Sequence, residues 1–489
     1  MNGNLRERLA HSIFWLAWSR GALQLFSFAT TVLVARRLVP ADYGVMALAG
    51  MFIAMAGVLA EMGLGAAIVQ FRDLDRRDLD TCFWITVTLA TLIYAVLALS
   101  ASVIAGWFAV PDLAKVLRVL ALGLPLNACT VVSASLLRKR LAFDHISQAE
   151  IVGAVVTLPV MLVCAWVGFG VWTLVTGSLV GWIVRGGVIF AFAPWLPALR
   201  IGGERAKELL HFSLTILGGT VLWALREQAD LAVIGKITGG GTIVGAYSMA
   251  KDLAMLPTAK ISSVVFMLST PMMAELQTDI EAMRGAFFRA VRLISAIAWP
   301  ASVGVALVAD EMVAVLGPDW LPAAPILRLL RLYAALRAVD VLLSPVLVAR
   351  RRQRFLFWYF LALLFAVAAT TALGARLGGA PGAVMLLTPV YGGLMVIITK
   401  EVLAELEGSF SELWCQTWPI LAATAAMAAL VLLLREITFG MLPEPLKLIL
   451  LPVGGALTYL GALFMLGRTV IGEIAEVIGW ALRRLGDDS

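Results

Sequence analysis

Apolar stretches of about twenty residues recur from Ser12 to Leu466, and most charged residues collect in the short gaps between them. A bilayer core about 30 Å thick needs roughly 20 apolar residues per helix, each residue rising about 1.5 Å. Of the 489 residues, 61% are hydrophobic and 14% charged, which leaves no segment able to build a sizeable water-soluble domain. About fourteen spans of that length fit, near 12–35, 44–69, 81–107, 116–137, 148–167, 171–193, 212–234, 245–270, 291–309, 323–348, 355–375, 381–399, 415–434 and 447–466. The predicted fold class is all-α, a polytopic membrane protein.

The net charge of +6 is explained by where the basic residues sit. With the amino terminus inside, more than half of the 38 Lys and Arg fall in inner segments such as Arg138-Lys139-Arg140 and Arg350-Arg351-Arg352. That bias predicts both termini on the cytoplasmic side and no nucleic-acid partner. The basic flank and apolar run at Met1 to Trp18 imitate a secretory leader, but the run continues to Leu38 and reads as an uncleaved first span. Cys82, Cys129, Cys164 and Cys415 lie in or beside apolar spans without a CxxC or a neighbouring His, and read as packing residues rather than metal ligands. Two inner connections, Ile201 to His211 and Glu275 to Arg292, and the tail from Val470 to Leu485 have the periodicity of amphipathic helices at the membrane surface.

An internal repeat sets the expected organisation. Arg6 to His11, a span, Arg36-Arg37 and Tyr43-Gly44 are echoed by Ala206 to His211, a span, Lys236 and Gly245-Ala246-Tyr247. Gly168-Phe169-Gly170-Val171-Trp172 is echoed by Gly379-Ala380-Pro381-Gly382-Ala383. The parse is a six-helix lobe over 1–200, a related six-helix lobe over 201–402, and two additional helices with an amphipathic tail over 403–489. Repeats of even span number keep one orientation, which predicts a cavity between lobes related by an axis along the membrane normal.

Ionisable side chains at bilayer depth cost a few kcal/mol on insertion scales and mark surfaces that face water or substrate. Arg20 with Gln24, Arg226, Glu227 and Asp230, Lys251, and Arg331 are the substrate-cavity candidates, and Arg226 can pair with Asp230 at i and i+4. Arg337 with Asp340 reads as an internal pair, while Glu61 and Arg185 lie near enough to the inner edge to snorkel. Guanidinium groups in a cavity would attract a phosphate or diphosphate. Carboxylates such as Glu61, Glu227 and Asp230 could instead bind H+ or Na+ and couple a gradient to movement, and no other cofactor is expected.

The chain resembles the polysaccharide transporter family of the multidrug/oligosaccharidyl-lipid/polysaccharide exporter superfamily, the Wzx-type flippases. The residues that carry the resemblance are Ala35 to Gly44, Glu61-Met62-Gly63-Leu64-Gly65 onward to Val69, and Gly170-Val171-Trp172-Thr173-Leu174. They continue with Asp230, Ile234-Gly235-Lys236, Gly245 to Ala250, and Leu316-Gly317-Pro318-Asp319-Trp320 with Ala323 to Leu327. The resemblance implies translocation of a polyprenyl-diphosphate-linked oligosaccharide across a bacterial inner membrane by alternating access, in exopolysaccharide or lipopolysaccharide biosynthesis. It also implies membrane lipids, a polysaccharide polymerase and export machinery as partners. Arg20 and Arg226 match the family's basic cavity residues by location only. A lipid II flippase, or a multidrug/cation antiporter of the same superfamily, are the alternatives within transport. A membrane glycan polymerase or ligase is the alternative from another class, set against the short outer loops and the three histidines His11, His145 and His211. Gly239-Gly240-Gly241 lacks the Lys-Ser/Thr that would complete a phosphate-binding loop for ATP.

Overall fold

A computed structural model describes residues 30–71, 73–199, 202, 205–438 and 444–473. The first predicted span falls largely outside the described residues. Every predicted span from 44 onward meets helix, and no strand occurs among the described residues. Nine described helices are long and apolar enough to cross a membrane, or ten if a bent pair is one span. The expected fourteen are therefore not reached by length and composition among these residues. One shortfall has a plain cause: Gln353–Glu405 leaves helical geometry at Gly378 and Gly379. A Cβ on Gly374 would lie 2.3 Å from Gly382 O, so its two limbs fold back on each other as a hairpin. Those limbs coincide with the predicted spans 355–375 and 381–399.

The helices gather into two compact units that divide between Gly245 and Ala246. In the first unit, Pro40–Glu61 ends in a left-handed Met62-Gly63 pair before Leu64–Gln70. The predicted span 116–137 is broken into Asp112–Leu120, Gly123–Ala128 and Val131–Lys139, with a 45° bend at the last break. Phe143–Val167 and Trp172–Phe192 form a helical pair whose turn places Gly168 and Gly170 at positive φ, where only glycine avoids strain. The Asp42 carboxylate lies against that turn, 3.4 Å from where a Cβ on Gly170 would sit. Two of the sequence segments that carry the family resemblance therefore touch.

Two echoes of the repeat also meet. A Cβ on Gly44 would fall 1.8 Å from Gly241 O, and one on Gly245 would fall 1.7 Å from Pro40 O. The start of Gly241–Glu275 thus crosses Pro40–Glu61 with backbone against backbone, the close approach that small residues four apart permit between membrane helices.

Hydrogen bonds hold Ala198, Gly202 and Arg205 to the start of Arg76–Phe108. Asp80 Oδ1 accepts from Ala198 N at 3.0 Å, Thr81 Oγ1 from Gly202 N at 3.1 Å, and Asp78 Oδ1 from Arg205 N at 3.3 Å. Trp84 Nε1 donates to Ala198 O at 3.0 Å. Asp78, Asp80 and Thr81 are buried here, because their acceptors satisfy backbone amides that have no secondary structure to join.

In the second unit, Ile280–Leu307 packs against Phe410–Thr438 and Glu444–Leu466 through Ala296, Ile420, Met427, Leu451 and Leu463. Met283, Phe287, Phe288 and Val291 are buried in this unit. The segment expected to lie flat at the interface is instead the first turns of one continuous helix. Ala206–Thr238 absorbs the other expected surface helix in the same way. The described part of the tail is short, with Val470 buried, and the rest lies outside the described residues.

Gly245→Ala should destabilise the detergent-solubilised protein by about 3 kcal/mol or more through forced overpacking, whereas Gly50→Ala, which enters open space, should leave its thermal midpoint unchanged. Equal midpoints for both variants would contradict the backbone contact. Asp80→Ala orphans the Ala198 amide at about 1–3 kcal/mol, and tryptic cleavage near Arg205 and Lys207 should accelerate several-fold.

Candidate functional site

Ala206–Thr238 carries three of the eight predicted site residues, Arg226, Glu227 and Asp230. Arg226 is only 7% exposed, and its Nη2 donates to Glu227 Oε1 at 2.8 Å. Asp230 is 2% exposed, and its Oδ1 accepts from Leu231 N at 2.7 Å. Arg226 forms an ion pair with its neighbour in sequence, Glu227, and Asp230 lies one helical turn further on. Two carboxylates stand beside one guanidinium, so this cluster is not an excess of positive charge. It can exchange a cation or a proton, or release its guanidinium to a competing anion, since a bond to an anion and a bond to Glu227 are chemically equivalent for Arg.

Nearer the start of the same helix, Lys207, His211 and Thr215 recur every fourth residue and, with Glu208, Phe71 and Phe212, line an open cavity of about 540 Å³. Phe71 and Phe212 meet edge to face at 5.7 Å. From Lys207 to Arg226 the helix rises about 28 Å, close to the thickness of a bilayer core. Sequence reading assigned the start of this helix to the membrane surface; the signal it passed over was the i, i+4, i+8 register of polar side chains.

The other predicted residues are spread out. Arg20 and Gln24 lie outside the described residues. Lys251 is half-buried on Gly241–Glu275. Arg331 is exposed beside Leu332 on Ala323–Asp340. Glu61 lines a cavity of about 250 Å³ within the first unit, together with Arg138 and Arg185. Its carboxylate rests over Gly65, where a Cβ would come 2.4 Å from Oε1. The structure thus unites Arg226, Glu227 and Asp230 on one helix and places Glu61 with two arginines that had been read as interfacial.

Asp340 accepts from Tyr391 Oη at 2.9 Å, and the Arg337 guanidinium lies 5.9 Å from the Tyr333 ring centre. Tyr333 and Tyr391 pack edge to face at 5.0 Å. An unanticipated ionic cluster joins Asp310 to Arg328 and Arg435, with Arg435 Nε also 3.1 Å from Glu311 Oε1. The four cysteines are free, and among the described residues no group of His, Cys, Asp and Glu is placed to hold a metal. His145 sits in the first turn of Phe143–Val167 with its ring 4.4 Å from that of Phe192.

Partial burial pushes the Asp310 carboxyl up, and the hydrogen bonds from Arg328 and Arg435 outweigh it, holding the carboxyl below its ordinary value. A carboxyl depressed in the folded state stabilises fully above the unfolded value near pH 4 and ceases to do so as pH falls through the lower folded one. Between pH 7 and pH 3 the wild-type thermal midpoint should therefore fall more steeply below about pH 4 than that of Asp310→Asn. Parallel curves would remove Asp310 from the cluster's energetics.

A family model described as polysaccharide biosynthesis protein matches residues 33–325. The lipopolysaccharide biosynthesis protein WzxC of Escherichia coli (strain K12) is 23% identical over 408 residues, 82% of this chain and 81% of that one. The succinoglycan biosynthesis transport protein ExoT of Rhizobium meliloti (strain 1021) is 25% identical over 367 residues, 75% of this chain and 74% of that one. Among solved structures, the lipid II flippase MurJ in an inward closed conformation superimposes with a TM-score of 0.70 at 15% identity, over 94% of this chain and 100% of that chain, a likeness of fold. With more than half its length matched by the family model, this multi-pass membrane protein belongs to the polysaccharide biosynthesis protein family.

Proposed function

We propose that the protein translocates polyprenyl-diphosphate-linked oligosaccharide from the inner to the outer leaflet of a bacterial inner membrane, with both termini in the cytoplasm. The observation that carries this reading is the family match over residues 33–325. The names of WzxC and ExoT, which place those proteins in lipopolysaccharide biosynthesis and succinoglycan transport, support it. So does a helix with a polar stripe at one end and a buried Arg–Glu pair toward the other. In this reading Lys207 and His211 meet the incoming diphosphate. Arg226 leaves Glu227 for the phosphate oxygens when substrate arrives, and Glu227 and Asp230 take up H+ or Na+ to restore the resting pair. Arg20, Gln24, Lys251 and Arg331 are further candidates for contact with the glycan. The protein makes and breaks no covalent bond of its substrate, and polymerase and export machinery act on the glycan after release.

The test is leaflet exchange of a fluorescent lipid-linked oligosaccharide in proteoliposomes. Arg226→Ala alone leaves Glu227 in low dielectric without its guanidinium, a cost of about 3–5 kcal/mol when a buried pair is broken, so Arg226→Ala/Glu227→Ala is the cleaner variant. It should insert and purify like wild type while exchange slows at least tenfold. Wild-type exchange no faster than that of empty vesicles would sink the reading. A double variant as fast as wild type would remove Arg226 from it.

A further inference from the structure

Within the second unit, the end of Gly241–Glu275 and the first turns of Ile280–Leu307 border an open groove of about 710 Å³, with Gln416 of Phe410–Thr438 also in its wall. Met272, Ala282, Ala286, Phe288 and Leu293 make most of that wall apolar. A Cβ on Gly285 would meet nothing within 4 Å, so the groove is open where this glycine faces it. At about 30 Å³ per water it has room for roughly 24 waters, but too few polar groups to hold them. A hydrocarbon chain suits the surface better.

Charge is concentrated at one point of the rim. Arg292 spans both oxygens of Glu473, Nε to Oε2 at 3.0 Å and Nη2 to Oε1, and also donates to Gln416. Glu473 is thereby matched, and Arg289 Nε lies 3.6 Å from its Oε1, beyond hydrogen-bond range. Arg289, Arg292 and Glu473 sum to one positive charge, and the Arg289 side chain is 61% exposed. Glu275 and Glu281, exposed on either side of the turn between the two helices, do not line the groove. Glu281 stands about 12 Å along the axis from Arg289, more than a Debye length of about 10 Å. Exposed Trp414 and Trp418 flank Gln416 in sequence. Indole rings collect at the headgroup level of a bilayer, which sets the groove where a lipid's headgroup joins its chains.

One surplus guanidinium beside an apolar groove matches a lipid with a single negative charge. A diphosphate carries more charge than one guanidinium neutralises, and a zwitterionic headgroup brings an ammonium that Arg289 repels. We infer that the groove holds one acyl chain of an anionic phospholipid, such as phosphatidylglycerol, with its phosphodiester on Arg289. This lipid is a resident of the protein rather than its cargo, and the inference does not depend on the translocation reading.

Native mass spectrometry of the full-length protein, released from detergent containing equimolar dioleoyl phosphatidylglycerol and dioleoyl phosphatidylethanolamine, tests it. Phosphatidylglycerol should occupy the first adduct at least fivefold more than phosphatidylethanolamine. Arg289→Gln should bring the two lipids level, and Arg289→Lys should keep most of the preference. Gly285→Phe, which fills the groove, should lower the first adduct of both lipids at least threefold, with monodisperse size-exclusion elution as the control for folding. Equal occupancy in the wild type, or an undiminished preference in a folded Arg289→Gln protein, overturns the site. A folded Gly285→Phe protein that binds both lipids like wild type overturns the placement of the chain. Undecaprenyl phosphate displacing phosphatidylglycerol at equal concentration overturns the resident phospholipid in favour of a carrier chain.

Discussion

An ionised side chain inside an apolar helical bundle must be paired, hydrated or carried to an end, because the surrounding hydrocarbon and packed side chains cannot solvate it. That constraint sorts the charges of this protein. Arg226 is held by Glu227, and the buried Asp340 carboxylate is met by a tyrosine hydroxyl. The Asp310 cluster neutralises two arginines that apolar helices would otherwise expose. Glu61 and Arg185, both partly buried, line a cavity together with the exposed Arg138. An arrangement that left them unsolvated would cost several kcal/mol per ion, so water or a ligand belongs between them.

Much of the fold was legible because its signals are local. Runs of apolar residues located the long helices from 44 onward, and Gly168, Gly170 and the glycines at 378 and 379 sit at turns whose backbone needs positive φ or a sharp break. The span 116–137 was read as unbroken because hydropathy averages over its breaks, while Pro125, which has no N–H to donate, interrupts the hydrogen-bond ladder without lowering apolarity. Nothing in the sequence marks Asp78 and Asp80 for burial, since their partners lie more than a hundred residues away in sequence. No periodicity reports a partner at that distance. The same holds for the site: Arg226 and Glu61 stand out as charges in apolar runs, but which arginines face Glu61 depends on how three other helices pack.

Distance along the chain also explains how the last two helices join the second unit. Arg292 of Ile280–Leu307 bonds to Gln416 and to Glu473, and Arg435 bonds to Asp310 and Glu311. Gln416 and Arg435 lie on one helix, about 28 Å apart along its axis. That separation matches a bilayer core of about 30 Å, the spacing at which one cluster can sit at each end of a membrane-spanning helix. Between them runs a dry seam of Ala296, Ile420, Ala423, Met427 and Val431. An apolar seam alone holds membrane helices weakly, because lipid tails compete for the same surface. Clusters at both ends fix its register, since a slip of one turn would break Arg292 and Arg435 from their carboxylates together. The added helix pair is thereby tied to Ile280–Leu307, and any rotation of that helix during translocation carries the pair with it.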